Sequence, residues 1–286
     1  MQRKSKFLVL PIVVAIFLSI ISVGSVSTSL KGREEYNATG KYLANQSPIV
    51  GSIGGEWEVI GLARSDLNID KSYFEKYQNN VVNTLVEKNG VLSTAKYTEY
   101  SRVILSLTSI GSDVTNVSSY NLLSYLSDFN KVKRQGINGP IWALIALDSN
   151  NYSVPSNALN SKESIINSII SAQNSDGGWA LTSGDSDVDL TAMALQSLAK
   201  NQDYKNVKDS INKALNYLSK SQKNSGGFTS WGTENVESSS QVVIALSALN
   251  INAQTDKRFI KGNNTLLSAI MKYKTSDGGF THSYVN

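Results

Sequence analysis

Cysteine is absent from the 286 residues, and histidine occurs once, at His282. Without thiols there is no disulfide, no Cys-ligated zinc, no iron–sulfur cluster and no acylated lipoprotein cysteine. A single histidine argues against a Ser-His-Asp nucleophile, and no G-x-x-x-x-G-K phosphate loop is present. A basic footprint for nucleic acid is missing too. Lys and Arg number 27 against 23 acids, but Arg3, Lys4 and Lys6 belong to the N-terminal leader; without them the count is 24 against 23. The chain is 41% hydrophobic and 17% charged, the balance of a packed globular protein.

The one long apolar run is "FLVLPIVVAIFLSII" (7–21). It follows the three basic residues and precedes the small-residue stretch "SVGSVSTS". Fifteen residues fall short of the ~20 that a spanning helix needs. The pattern predicts a secretory signal over 1–29, with an uncleaved anchor as the alternative. The expected location is extracellular, with membrane contact only through this segment. Residues 30–286 are then one repeat domain.

The repeat is carried by "QNSDGGWAL" (173–181), "QKNSGGFTSW" (222–231) and "YKTSDGGFTH" (273–282), with a fainter relative at Gly54. An amphipathic run precedes each turn: 161–173, 206–222 and 263–274. Apolar residues recur there at three- and four-residue steps, as at Ile165, Ile166, Ile169 and Ile170. More uniformly apolar helices follow at 190–200 and 241–250. Earlier members of the apolar set are 55–65, 98–111 and 139–149; earlier amphipathic partners are roughly 35–46, 71–88 and 118–129. Turn glycines fall near 54, 90, 139, 177, 226 and 278, a period that suits helical-pair repeats. Hairpins of this kind close into a double-walled ring with the apolar helices inside. The expected fold is all-α, an α/α toroid of about six hairpins whose sixth inner helix is not found, so that truncation or an open ring is expected. Gly177 and Gly178 are expected to reverse the chain with φ > 0. Trp179, Phe228 and Phe280 are expected to plug the gaps between hairpins; substrate stacking is the alternative for these rings.

These phrases resemble the Q…GGW/F repeats of the squalene cyclase and prenyltransferase α/α-toroid superfamily. The cobalamin carriers, transcobalamin and intrinsic factor, share that architecture. "GGEWEVIGLARS", "TEYSRVILSLTSIG", "DVDLTAMALQSLA" and "SSSQVVIALSALNI" are similar to secreted prenyltransferase-repeat proteins of anaerobic Gram-positive bacteria. The resemblance spans almost all of 40–280 and implies the fold. A corrinoid and a glycan are the ligand classes it suggests.

The chemistry-bearing residues lie near inner-helix starts. "SGDSDVDLTAM" (183–193) places Asp185, Asp187 and Asp189 at two-residue spacing. Class II terpene cyclases carry D-x-D-D-T-A in this kind of position. On that resemblance Asp187 matches the first Asp and Asp189 the proton-donating one, but Leu190 replaces the last. The residues alone read first as a helix cap, and after that as a ligand or ion contact. As a calcium loop the stretch fails, because Leu190 and Gln196 stand where Gly and Glu are required. The zinc site of protein prenyltransferases needs a Cys that this chain lacks, so no metal site and no catalytic cofactor are expected. Glu56, Glu99, Arg102, Asn138, Asp187, Asp189, Glu237 and Gln241 are the candidate ligand-binding set, expected to converge at one end of a central cavity. Simpler roles compete: Glu99 and Arg102 as an i,i+3 pair, and "SSSQ" (238–241) as a capping box. Three functions follow: a secreted ligand-binding module for a small molecule or cell-surface glycan, an isoprenoid enzyme of terpene-cyclase type, or a structural surface module. Nucleic acid is not an expected partner.

Overall fold

A computed structural model describes residues 30–51, 54–154 and 160–283. The expected leader at 1–29 lies outside the described residues. Five apolar helices form an inner wall: α2 (Gly55–Ala63), α4 (Thr98–Ser109), α6 (Asn138–Asp148), α8 (Val188–Leu198) and α10 (Val236–Ala248). Each packs on the next, α2 on α4, α4 on α6, α6 on α8 and α8 on α10. The outer wall holds α1 (Leu30–Ala44), α3 (Lys71–Glu87), the short α5 (Phe129–Val132), α7 (Lys162–Ser171), α9 (Val207–Ser221) and α11 (Leu266–Ile270). The two walls differ as their sequences do. In α6 nearly every residue from Gly139 to Asp148 is buried. In α9 burial is confined to one face, with Val207, Ile211, Ala214, Leu215 and Leu218 inside. Each buried Val, Leu or Ile side chain contributes roughly 1.5–3 kcal/mol on removal from water.

The glycine turn repeats in atomic detail. The Gln173 amide donates to the Gly177 carbonyl at 2.8 Å and to the Ser210 carbonyl of α9 at 2.9 Å. Gln222 does the same with Gly226 at 2.8 Å and Phe259 at 2.9 Å. The glutamine of the motif therefore ties its own turn to the following outer segment. The aromatic is a staple, as expected. Trp179 is fully buried, and its indole N–H donates to the Ile169 carbonyl at 2.7 Å. Its backbone N–H reaches the Thr191 hydroxyl of α8 at 3.0 Å, and Phe228 N–H reaches Ser239 of α10 at 3.2 Å.

The three turn glycines also explain how hairpins abut. A Cβ on Gly177 would stand 2.6 Å from the Lys213 carbonyl oxygen, and one on Gly226 would stand 2.6 Å from that of Thr265. A Cβ on Gly278 would stand 2.7 Å from the carbonyl oxygen of Ala38. The last turn thus meets the first outer helix as the Gly177 and Gly226 turns meet the outer segments that follow them. Lys274 pairs with Glu35 across the same seam, and Tyr36, Tyr273 and Phe280 share one core.

Several expectations need correcting. Only the first glycine of each pair has positive φ (Gly177 95°, Gly226 89°, Gly278 92°). Gly178 does not; it is small because a Cβ would meet Ser186 at 2.5 Å. Gly139 lies inside α6, where a Cβ would meet the Val132 carbonyl oxygen at 1.7 Å; Gly136, at φ 61°, makes the reversal there. No outer α-helix spans 118–129. Ser118 and Ser119 turn left-handed at φ 50° and 73°, and only a 3₁₀ turn at Leu122–Leu126 and then α5 follow. Helix α10 starts at Val236, not Gln241, because Asn235 caps it by accepting from Ser238 N–H at 2.8 Å. "SSSQ" is therefore buried helix and not a capping box. Two small hairpins also occur: β1 (Phe228–Ser230) with β2 (Thr233–Asn235), and β3 (Ile260–Lys261) with β4 (Asn264–Thr265). Among the described residues no helix is long and apolar enough to cross a membrane.

Candidate functional site

The inner helices carry most of their acidic candidates in their first turns. Of the eight sequence candidates, Glu56 and Arg102 meet in one cluster and Asp187, Asp189 and Glu237 in a second, while among the described residues no polar contact joins Asn138 or Gln241 to either. Glu56 of α2 is fully buried, with Oε1 accepting from Gly51 N–H at 2.7 Å. Its Oε2 lies 3.5 Å from Arg102 Nε of α4. Arg102 therefore pairs across two inner helices, and not with Glu99 three residues before it. Glu99 is part-buried, and its Oε2 would lie 3.5 Å from a Cβ on Gly51. Burial pushes Glu56 up to about 7, against the pull of Arg102. Glu58, one turn-face away on α2, is also buried and raised to about 7 by burial and by Glu56.

The second cluster joins α8 and α10. Asp187 caps α8, accepting from Asp189 N–H at 2.9 Å and Leu190 N–H at 3.1 Å. Its other oxygen accepts from the Ser230 hydroxyl of β1 at 2.5 Å. Capping is thus what Asp187 does here. Asp189 sits in the first turn, with Oδ1 buried and unpartnered, and burial pushes it up to about 6. Glu237 of α10 meets His282 Nδ1 at 2.7 Å, while its Oε2 is buried without a partner. Burial raises Glu237, and the His282 contact holds it back. Asn138, at the start of α6, likewise has a buried, unpartnered Oδ1, and Gln241 is buried within α10. Among the described residues no hydrogen bond or ion pair joins the two clusters. No group of three or more metal-ligating side chains occurs there either.

A cavity of about 250 Å³ lies along the inner wall, from Trp57 in the first turn of α2 to residues at the inner-helix C-termini. Its floor is apolar, made by Trp57 and Ile60 of α2, Leu105 of α4, and Trp142 and Ile145 of α6. The two indoles lie 5.0 Å apart, with planes tilted by 55°. Thr108, Ser149 and Gln196 add polar atoms, and Arg64 and Lys200 stand at the helix ends. Gln196 Oε1 is buried and unpartnered. A second cavity of about 210 Å³ adjoins it, sharing Leu105, Ile145, Ser149, Gln196 and Lys200. None of the eight sequence candidates lines either cavity.

Sequence reasoning missed these residues because it weighed helix starts and turn aromatics and assigned Trp57 and Trp142 no role. The signal was legible. Trp57, Ile60 and Arg64 lie at i, i+3 and i+7, as do Trp142, Ile145 and Ser149, so each set marks one helix face. In helices otherwise apolar all round, the polar members of such a stripe mark the face turned to the lumen.

Residues 113–286 match a family model described as the prenyltransferase alpha-alpha toroid domain. Comparison with curated proteins gave no match.

Proposed function

Because the chain belongs to the prenyltransferase alpha-alpha toroid domain family, we propose that it is an exported toroid module that binds a small saccharide in its lumen. One observation carries the reading: the Trp57–Trp142 pair faces a cavity whose other walls offer Gln196, Thr108 and Ser149. Indole faces accept the C–H faces of a pyranose, and a few fixed polar groups orient its hydroxyls. The unpartnered Gln196 oxygen is an acceptor waiting for a hydroxyl donor. Of the two ligand classes suggested by resemblance, the volume favours the glycan. At about 250 Å³ the cavity lies below the ~300–1,000 Å³ typical of drug-sized ligands, and a corrinoid is larger than those. Export rests on the N-terminal basic and apolar segments.

Isoprenoid cyclase chemistry at Asp189 is a second reading, favoured by its buried, unpartnered oxygen and raised pKa. Against it, Asp187 is committed to capping and Leu190 replaces the partner acid. Asp189 also precedes Gln196 by seven residues, roughly 10 Å along α8, which sets it away from the aromatic cavity.

Intrinsic tryptophan fluorescence and thermal shift, measured against panels of oligosaccharides, corrinoids and isoprenoids, test the proposal. A saccharide that changes the fluorescence and raises the melting temperature, with both effects lost in Trp57→Ala, is the expected result. Response to corrinoids or isoprenoids alone would overturn it.

A further inference from the structure

We infer that the lumen ligand is an acidic saccharide, and that Arg64 binds its carboxylate. The inference rests on the saccharide reading above and narrows it.

The charge around the cavity is one-sided. Arg64 and Lys200 are its ionic residues, and no carboxylate lines it. Cations at helix C-termini have an ordinary explanation, since the terminal carbonyls carry partial negative charge. That explanation fits Lys200, whose Nζ donates to the Asp148 carbonyl at 2.9 Å. The Asp148 carboxylate does not neutralise it, being held by Lys162 at 2.5 Å and Asn201 at 2.6 Å.

Arg64 is different. It is the C-cap residue of α2, and its backbone N–H already serves the Ile60 and Leu62 carbonyls. Its guanidinium makes no hydrogen bond or ion pair among the described residues. Arg33, Arg102 and Arg258 each stand by a carboxylate, at 2.7, 3.5 and 2.7 Å. Arg134 donates to the Thr94 carbonyl at 2.9 Å. Arg64 alone among these leaves its fork open, and does so at the rim of an aromatic cavity.

A guanidinium fork matches a carboxylate in two parallel hydrogen bonds, which a point-like ammonium cannot reproduce. One helical turn below Arg64 lies Ile60, and Trp57 follows on the same face. A ring stacked on Trp57 therefore has its edge within reach of the α2 terminus. A sugar that is apolar on its face, hydroxylated on its rim and anionic at one ring substituent fits all three features. Uronic acids have this chemistry. The adjoining cavity of about 210 Å³ gives room for a second residue of the chain; Asp148 lines it, its carboxylate held by Lys162 and Asn201.

The experiment is a fluorescence and calorimetric titration of the full chain with oligoglucuronate, oligogalacturonate and their neutral gluco- and galacto-oligosaccharide counterparts. Wild type, Arg64→Gln, Arg64→Lys and Trp57→Ala are compared. Arg64 is exposed, so its variants should keep the wild-type melting temperature. The expected result is at least tenfold tighter binding of an acidic sugar than of its neutral parent. Arg64→Gln should abolish that preference, bringing the acidic sugar to the affinity of its neutral parent in the same variant, and Arg64→Lys should restore only part of it. Equal binding of acidic and neutral sugars by wild type would overturn the carboxylate inference and leave the saccharide reading intact. An acidic preference that survives Arg64→Gln would overturn the role of Arg64. No binding of any sugar would overturn both.

Discussion

Gly278 faces the backbone of Ala38: a Cβ at Gly278 would stand 2.7 Å from the Ala38 carbonyl oxygen, and Gly278 itself holds φ at 92°. The last described hairpin turn is thus fitted to the first outer helix. Replacing Gly278 with Ala adds both a backbone penalty and a clash at this seam. Gly262 has φ 60° but open space around it, so Gly262→Ala carries only the backbone penalty. Strain of this kind costs roughly 1–3 kcal/mol. Thermal melts should show Gly278→Ala less stable than Gly262→Ala; equal melting temperatures would mean that the seam does not contribute.

Trp179→Ala removes a fully buried indole and one of the two hydrogen bonds to the Ile169 carbonyl, leaving that from Ala172 N–H at 3.2 Å. A loss of roughly 3–5 kcal/mol is expected from chemical denaturation. Trp179→Phe keeps most of the volume and loses the hydrogen bond, so it should cost less.

Asp187 separates capping from ion-pairing roles. Asp187→Asn keeps the side-chain oxygen that caps the Asp189 and Leu190 amides, but replaces the oxygen that accepts from Ser230 with an NH₂ donor, to which the Ser230 hydroxyl must turn as acceptor. Asp187→Ala loses all three and should cost roughly 0.5–2 kcal/mol. If Asn proves as damaging as Ala in urea unfolding, charge and not capping is what the site requires.

Glu58 predicts a pH dependence. It is buried on α2 and raised from 4.5 to about 7 by burial and by Glu56. The unfolded chain then loses this proton near pH 4.5 while the folded chain keeps it to about 7. Folded protein binds more protons, so stability falls as pH rises through that window and levels off above it. One group raised this far contributes at most about 3 kcal/mol. Glu58→Gln should flatten the decline between pH 4.5 and 7, measured as melting temperature against pH. An unchanged slope would place Glu58 in water in solution.

The division between what the chain announces and what it conceals follows from range. Hydrophobic periodicity at Ile165, Ile166 and Ile169, the Gln173–Trp179 turn and the cap at Asp187 are local, and local spacing is enough to read them. The break at Ser118–Ser119 is not legible, because composition alone does not reveal a left-handed backbone there. The start of α10 was placed five residues late because Ser238, Ser239 and Ser240 look like a cap until their burial in the inner wall is known. Arg102 illustrates the limit for charges. Glu99 is nearer in sequence, but the packing of α2 on α4 brings Glu56 to it from 46 residues away. The lumen cavity is the largest matter that only tertiary structure decided. Trp57, Trp142 and Gln196 lie on three separate helices, and each is unremarked in its own segment. Only the ring's curvature turns their faces toward one space, because helix faces set by a 3.6-residue period specify a direction but not what stands opposite.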